Sequence, residues 1–144
     1  MKNYAIDYDD NNYIDLKNNI DAYASAANYL KKIGWKINQP CFYKINLSND
    51  IPKMYLNVSA KKLHNKKKLK YFRNYINDNS FLNKNLDNLN VAIITPDKDI
   101  IPDAENLSPA YIVFDNYEII LKWNRSLRFS LAVCTLKDKF KNEF

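Results

Sequence analysis

Glycine is almost absent from this chain. Gly34 is the single glycine among 144 residues, whereas phosphate-binding loops and dinucleotide-binding turns each need several glycines at fixed spacing. The sequence therefore excludes nucleotide sites of both kinds.

Cysteine and histidine are scarce as well. Cys41 and Cys134 lie far apart, without the spacing of a zinc site. Cys41 falls in a strand-like segment and Cys134 on the apolar side of a predicted helix, so we interpret both as buried hydrophobic residues and not as reactive thiols. His64 is the only histidine, and its polar neighbours favour a surface position. We therefore assign no catalytic role to either residue type.

Long apolar runs are missing. No segment approaches the length of a membrane span. Residues 1–10 lack the apolar core of a signal peptide, so we expect no membrane span and, if the chain is made as written, a soluble cytoplasmic protein. With 47% hydrophobic and 14% aromatic residues, the chain can still bury a core. We predict a single domain over residues 1–144.

The order of the predicted elements indicates an α+β fold. A helix-like pattern spans about 20–33, with its apolar residues on one face, and Gly34 follows where a C-terminal capping glycine belongs. Asn124 is predicted to cap a last helix, from about 125 to 141. Apolar and β-branched runs predict strands at 41–47, 53–58, 91–95, 110–114 and 117–123, the last two joined by a hairpin turn at 115–116. We expect a small, mostly antiparallel sheet.

The net charge of +6 is concentrated in the segment 61–73. Lysines there would contact phosphates, and Tyr71 or Phe72 would stack on bases, if the segment bound nucleic acid. However, Leu63, Leu69 and Phe72 have roughly helical spacing, and a helix with a solvated basic face explains the same residues. We favour the surface helix and predict no nucleic-acid partner.

Asp7, Asp9 and Asn11 alternate ahead of a predicted helix that Asp21 opens. Such alternation places oxygen ligands on one side of a tight loop, as hard cations such as calcium require. Counted as an EF-hand loop from Asp7, the pattern lacks its closing acid unless the loop is longer and ends at Asp21. The sixth position is Asn12, and asparagine tolerates the left-handed backbone that glycine adopts there. In a chain this rich in asparagine and aspartate, an ordinary polar turn explains the same pattern.

Two blocks of the sequence resemble a known enzyme family. Residues 4–16 (YAIDYDDNNYIDL) and 21–35 (DAYASAANYLKKIGW) are similar to the Y-A-x-D-x-D-G-D-G-x-x-D-I/L loop and the D-A-x-x-S-x-A-N-Y-L-K-x-x-G-W helix of the membrane-bound lytic murein transglycosylase B family. Residues 108–126 (SPAYIVFDNYEIILKWNRS) resemble its second motif, G-P-A-F-L-V-Y-D-N-F-x-V-I-L-K/R-Y/W-N-x-S. The region between the blocks matches only in outline.

The resemblance implies part of a lysozyme-like transglycosylase core with its β subdomain, and a longer EF-hand-like loop that Asp21 closes. The calcium ligands would be the side chains of Asp7, Asp9 and Asn11, the backbone carbonyl of Tyr13 and a bidentate Asp21. Because only three of these are carboxylates, we expect weak calcium binding, with a Kd of about 10⁻⁴–10⁻³ M.

The family cleaves the β-1,4 bond between N-acetylmuramic acid and N-acetylglucosamine in peptidoglycan and leaves a 1,6-anhydro product. One glutamate acts first as acid and then as base, in an E-[ST]-x-[WFY]-G setting upstream of the calcium loop. Glu105, Glu118 and Glu143 all lack that setting, and Glu118 falls in a predicted strand. We therefore assign no catalytic residue. We expect the chain to be a truncated or split C-terminal portion that is inactive alone and has a separate N-terminal piece as partner.

Three residues match positions that line the family's glycan groove: Tyr29, Trp123 and Asn124. Aromatic rings stack on sugars, and an amide can bond an N-acetyl group, but core packing explains Tyr29 and Trp123 equally well. The resemblance implies peptidoglycan glycan strands as partner and the periplasm or cell envelope as location. The alternatives are a calcium-stabilised glycan-binding module without catalysis and, third, a basic nucleic-acid-binding domain.

Overall fold

The computed structural model describes residues 2–96 and 109–143, which form two compact units, Met1–Asn38 and Gln39–Phe144. We call them unit 1 and unit 2. Compact units of one chain can belong to a single folding domain, so the single domain predicted for 1–144 stays a prediction. Within the described ranges, no helix is long and apolar enough to cross a membrane.

Unit 1 consists of a short 3-10 helix at Lys2–Tyr4, an irregular loop and helix α1, Asn19–Lys32. The helix begins where it does because Asn18 caps it. The Asn18 side-chain oxygen accepts a hydrogen bond from the backbone N–H of Ile20 at 3.1 Å, and this satisfies a donor that has no partner within the helix.

Gly34 ends α1. Its φ of 109° lies in the region open to glycine alone among ordinary residues. The N–H groups of Gly34 and Trp35 donate to the carbonyls of Lys31 and Leu30, at 3.2 Å and 3.0 Å, which is the Schellman pattern of helix termination. The helix predicted over 20–33 and its glycine cap are confirmed.

The buried stripe of α1 is polar. Asp21 and Ser25 are almost completely buried, whereas Ile20 is 50% and Tyr23 72% exposed. Ser25 Oγ accepts a hydrogen bond from the backbone N–H of Ile6 at 2.9 Å. Hydrogen bonds therefore hold α1 to the segment before it, and part of the apolar face that the sequence predicts is exposed to solvent.

A six-stranded sheet forms the centre of unit 2. The strands are β1 (Phe42–Leu47), β2 (Leu56–Asn57), β3 (Lys67–Lys68), β4 (Ile76–Asn77), β5 (Asn90–Ile94) and β6 (Ala110–Val113). They lie in the order β2-β5-β6-β1-β4, with β3 also paired to β5. All pairs are antiparallel except β2–β5, which confirms the predicted mostly antiparallel sheet.

The core of unit 2 joins the sheet to a single-turn helix, α2 (Leu69–Phe72). Ile45 of β1, Ile93 of β5, Ile112 of β6 and Phe72 of α2 all belong to one buried apolar cluster. Two longer helices, α3 (Asp115–Trp123) and α4 (Leu127–Glu143), complete the unit.

The strand predicted at 117–123 is wrong, because α3 occupies these residues. Asp115 and Glu118 lie in the first helical turn, where negative charge is favourable. Asn116 does not form a turn but is buried, and its Nδ2 donates to the carbonyl of Gln39 at 3.1 Å. Tertiary packing thus overrides the β propensity of this apolar run.

The cap of α4 also differs from the prediction. Ser126, and not Asn124, precedes the first helical residue, and its Oγ accepts a hydrogen bond from the N–H of Phe129 at 3.2 Å. The hydroxyl of buried Tyr117 donates to the carbonyl of Leu127 at 2.8 Å, which fixes α3 to the start of α4.

The surface helix predicted over 61–73 is wrong. Asn65 has a φ of 56°, which a continuing right-handed helix cannot contain. Lys67 then pairs with Val91 as part of β3, so helical structure is confined to α2 and a 3-10 turn at Arg73–Tyr75. The lysines are exposed, as expected.

Cys41 and Cys134 form a disulfide. Both residues are fully buried, as predicted, but they are not free hydrophobic side chains. They lie 93 residues apart in sequence and 5.9 Å apart between Cα atoms, because the fold brings α4 against the residue that precedes β1. Spacing alone gives no sign of this pairing.

Candidate metal centre and glycan-binding residues

Asp21 organises the acidic loop of unit 1. It lies in the first turn of α1 and is fully buried. Its two carboxylate oxygens accept backbone N–H groups from Asp15 at 2.9 Å and from Tyr8 at 3.0 Å. These donors lower the pKa of Asp21 and outweigh the opposite effect of burial.

Asp7 holds the other side of the loop. Its carboxylate accepts the N–H groups of Asn12 at 2.7 Å and Asn11 at 3.2 Å. Asn12 has a φ of 67°, so the residue at the glycine position adopts the left-handed backbone that the position requires. The loop is therefore folded back on itself by its own acidic side chains.

Asp7, Asp9 and Asp21 each bring a carboxylate oxygen within 4.8 Å of the other two. Oxygens bound to one calcium ion at about 2.4 Å can lie up to about 5 Å apart, so this spacing fits a single hard cation. In the described parts of the chain, none of the three carboxylates pairs with a lysine or arginine. The donor set, three carboxylates around one point, suits calcium.

Asn11 and Tyr13 lie in the same loop. The Asn11 side-chain oxygen accepts the N–H of Tyr13 at 2.8 Å, so the two residues turn together beside Asp9. Asp15 is fixed by the hydrogen bond from its backbone N–H to the Asp21 carboxylate. The roles of Asn11 and Tyr13 as ligands stay predictions.

Tyr29, the first of the predicted glycan-binding residues, packs within unit 1. Its ring meets the ring of Tyr4 edge to face, with centroids 5.0 Å apart. Asn28 reinforces this contact by donating from Nδ2 to the carbonyl of Tyr4 at 3.0 Å. Tyr29 thus has a structural contact, and a glycan role stays a prediction.

Trp123 and Asn124 lie together at the C-terminal end of α3, in unit 2. Trp123 is 47% exposed, and Asn124 is exposed as well. The backbone N–H of Asn124 still donates to the carbonyl of Ile120 at 3.1 Å, which fixes the direction of the chain there. The aromatic ring of Trp123 and the side-chain amide of Asn124 therefore belong to two consecutive, exposed residues at the end of α3.

Glu118 is held in an ion pair with Lys66. It lies on α3 and not in the predicted strand. Glu105 and the side chain of Glu143 lie outside the described residues.

A basic pocket of about 420 Å³ lies beside α3 in unit 2 and was not predicted. Glu118, Leu121 and Lys122 share one side of it because they follow the helical i, i+3, i+4 spacing, and Arg125 lies two residues after the end of α3. That spacing was the available signal, and the strand prediction for 117–123 hid it. The basic pocket is lined by Ala60, Lys61, Lys62, Leu63, Glu118, Leu121, Lys122 and Arg125.

A comparison with known protein families shows which family the chain belongs to. The sequence profile described as the transglycosylase SLT domain matches residues 1–138. The chain belongs to this family. The match covers both the acidic loop of unit 1 and the α3 end that carries Trp123.

Solved structures of lytic transglycosylases have the same fold. SltB3 of Pseudomonas aeruginosa, in complex with NAG-NAM-pentapeptide, is 30% identical, with a TM-score of 0.77 over 97% of this chain and 35% of that chain. SltB1 of the same organism is 20% identical, with a TM-score of 0.71 over 99% of this chain and 43% of that chain. Slt35 of Escherichia coli, in complex with calcium, is 20% identical, with a TM-score of 0.63 over 94% of this chain and 38% of that chain.

The predicted α+β transglycosylase fold is confirmed by these likenesses. The chain spans 35% to 43% of the lengths of these three solved structures. Among curated proteins, no sequence match was found.

Proposed function

We propose that this chain is the glycan-binding, C-terminal portion of a B-type lytic transglycosylase that acts on peptidoglycan. The observation that carries the proposal is the exposed Trp123 beside Asn124, at an α3 end that lies within the SLT family match. The two motif resemblances support the B-type assignment and the C-terminal placement. The complex of SltB3 with NAG-NAM-pentapeptide supports a peptidoglycan fragment as ligand.

In this proposal the chain binds and orients the glycan. The indole of Trp123 stacks on the apolar face of a sugar ring, and the Asn124 amide bonds an N-acetyl or hydroxyl group. Tyr29, which lies in unit 1, is proposed separately as a glycan-contacting ring.

Proton transfer to the leaving oxygen needs a protonated carboxyl within hydrogen-bond reach. Glu118 does not suit this task because its carboxylate is held in an ion pair with Lys66. Cleavage would then depend on a glutamate outside this chain, supplied by an N-terminal piece that is also its protein partner.

We further propose that the loop closed by Asp21 binds calcium. The three carboxylates within 4.8 Å of one another carry this part of the proposal. The ion would neutralise their mutual repulsion and tie the N-terminal segment to α1, and so it would support the fold without entering the chemistry.

The proposed location is the cell envelope, where peptidoglycan is found. The disulfide between Cys41 and Cys134 supports this location, because such bonds persist in oxidising compartments and are rare in the cytosol.

A second candidate is a glycan-binding module that works without any catalytic partner. The ion pair of Glu118 with Lys66 is compatible with this candidate as well as with the first. Both candidates require glycan binding, and they differ in whether cleavage appears when an N-terminal piece is added.

The test is co-sedimentation of the purified chain with peptidoglycan sacculi. We expect saturable binding that Trp123→Ala weakens by at least about tenfold, the loss of one well-buried stacking contact. Phe81→Ala is the matched control, because Phe81 is also an exposed aromatic residue of unit 2, at 52% against 47%. Equal binding by the two variants would contradict the proposed role of Trp123.

A further inference from the structure

The basic pocket beside α3 has the features of a binding site for an anion. Its volume of about 420 Å³ falls within the range of about 300–1,000 Å³ that small-ligand sites occupy. Four of its eight lining residues are cationic. Two come from the loop after β2, Lys61 and Lys62. The others are Lys122, on the last turn of α3, and Arg125, two residues after α3 ends.

These four cations are not neutralised by the described protein. Neither a carboxylate nor another side-chain partner is found for any of them within residues 2–96 and 109–143. Like charges on two segments that are about 60 residues apart in sequence converge on one cavity. An anionic ligand would relieve their repulsion.

The floor of the basic pocket is apolar. Leu63 and Leu121 line it, and each is only 4% exposed. Small aliphatic groups of a ligand would therefore find buried partners between the cations.

The one acid of the basic pocket argues against a dense polyanion. Glu118 lines the cavity while it is paired with Lys66. The phosphates of a nucleic-acid backbone would be repelled by the Glu118 carboxylate. A short peptide can instead place an amine or amide near Glu118 and the peptide's own carboxylates near the four cations. Cations, an apolar floor and one acid together match a short, carboxylate-bearing peptide with small side chains.

We propose that the basic pocket binds the carboxylates of a peptidoglycan stem peptide. The proposal rests on the proposed function, since it gives the peptide a site next in sequence to the Trp123 and Asn124 that would hold the sugar. Lys122 and Arg125 supply charge-assisted hydrogen bonds from α3 and the residues after it, and Lys61 and Lys62 supply others from the loop after β2. The chain would thereby distinguish glycan strands that carry free stem peptides from strands without them.

The test uses calorimetric titration of the full 144-residue chain with three probes: free stem pentapeptide, the peptide-free NAG-NAM disaccharide and single-stranded DNA. The test variant is the double substitution Lys122→Gln with Arg125→Gln, and both residues are exposed, so the fold should be kept. Lys84→Gln is the control, because Lys84 is an exposed lysine of unit 2 outside the basic pocket. Circular dichroism verifies that each variant is folded.

We expect the double variant to bind the pentapeptide about tenfold or more weakly, as for the loss of two charge-assisted contacts. The disaccharide affinity should stay unchanged, and Lys84→Gln should bind all probes as the wild type does. Equal pentapeptide binding by wild type and double variant would overturn the proposal, even where disaccharide binding persists. A loss of DNA affinity with no measurable pentapeptide binding would also overturn it and identify a nucleic-acid site. If the disaccharide fails to bind any form while the pentapeptide contrast remains, the peptide site stands and the proposed glycan function falls.

Discussion

Cys41 and Cys134 are joined by a disulfide that closes most of unit 2 into one covalent loop. The residue before β1 is thereby tied to α4, across 93 positions of sequence. Neither sulfur is accessible to solvent, since both residues are fully buried. The bond fixes the two ends of the segment that contains the sheet, the basic pocket and α3.

Removal of this disulfide should destabilise the chain by about 2–5 kcal/mol, because a loop of this length constrains the unfolded state strongly. The double substitution Cys41→Ala with Cys134→Ala is compared with the wild type by chemical denaturation. Reductant should lower the unfolding midpoint of the wild type and leave that of the variant unchanged. Two free thiols in denatured, unreduced wild type would show that the bond does not form.

Calcium should raise the melting temperature of the wild type by about 4–8 °C at 10 mM, as expected for a Kd of about 10⁻³ M. Asp9→Asn and Asp21→Asn should each abolish the rise, because each removes one of the three converging carboxylates. Differential scanning calorimetry with and without calcium measures the effect.

Asp10→Asn is the matched control for the calcium loop. Asp10 is exposed in the same loop and is not one of the three converging carboxylates, and its φ of 55° is one that asparagine also accepts. This variant should keep the calcium response. If millimolar calcium leaves the folded wild type unchanged, the loop is only a polar turn.

Tyr117→Phe should cost about 1–2 kcal/mol of unfolding free energy, since it removes the buried hydrogen bond from the Tyr117 hydroxyl to the carbonyl of Leu127. Urea denaturation at neutral pH measures the loss. An unchanged midpoint would show that the bond between α3 and α4 contributes nothing.

The same tyrosine should make stability depend on pH in the alkaline range. Burial raises the pKa of Tyr117 above its usual value. A folded pKa above the unfolded one contributes stability that is fully present below about pH 10 and is lost as the pH rises further. Tyr117→Phe should therefore lose less stability than the wild type between about pH 10 and 12.

The chain assayed alone should release no 1,6-anhydromuropeptides from sacculi. The reason is that Glu118, the one glutamate whose side chain the structure describes, is held in an ion pair by Lys66. The release of 1,6-anhydromuropeptides is measured by chromatography of the soluble products. Release of product by the wild type that Glu118→Gln removes would identify Glu118 as an acid after all, and release that survives this change would direct attention to Asp115.

Most of the fold could be predicted where the local pattern and the packing agree. Strand β1 has an alternating pattern, β5 and β6 carry apolar, β-branched runs, and Gly34 marks the C-terminal end of α1. The strand prediction for residues 117–123 was wrong because the β-branched and aromatic residues there are buried on a helix. The packing of that helix overrides their β propensity.

The candidate site was predictable only in part. Asp7, Asp9 and Asp21 lie within one short segment, so their spacing reveals a shared loop. The basic pocket and the disulfide join segments that are about 60 and 93 residues apart, and no local pattern records such pairings.

The central claim, that this chain binds peptidoglycan glycan through the end of α3, is tested most directly by nuclear magnetic resonance. The chain has two tryptophans, Trp35 in unit 1 and Trp123 in unit 2, so its spectrum contains two indole N–H signals. On titration with the NAG-NAM disaccharide, we predict a saturable shift of the Trp123 indole and of the Asn124 backbone amide. In the Trp123→Ala variant, which lacks that indole, the Asn124 amide should not shift. Unchanged Trp123 and Asn124 signals at saturating disaccharide would contradict the account.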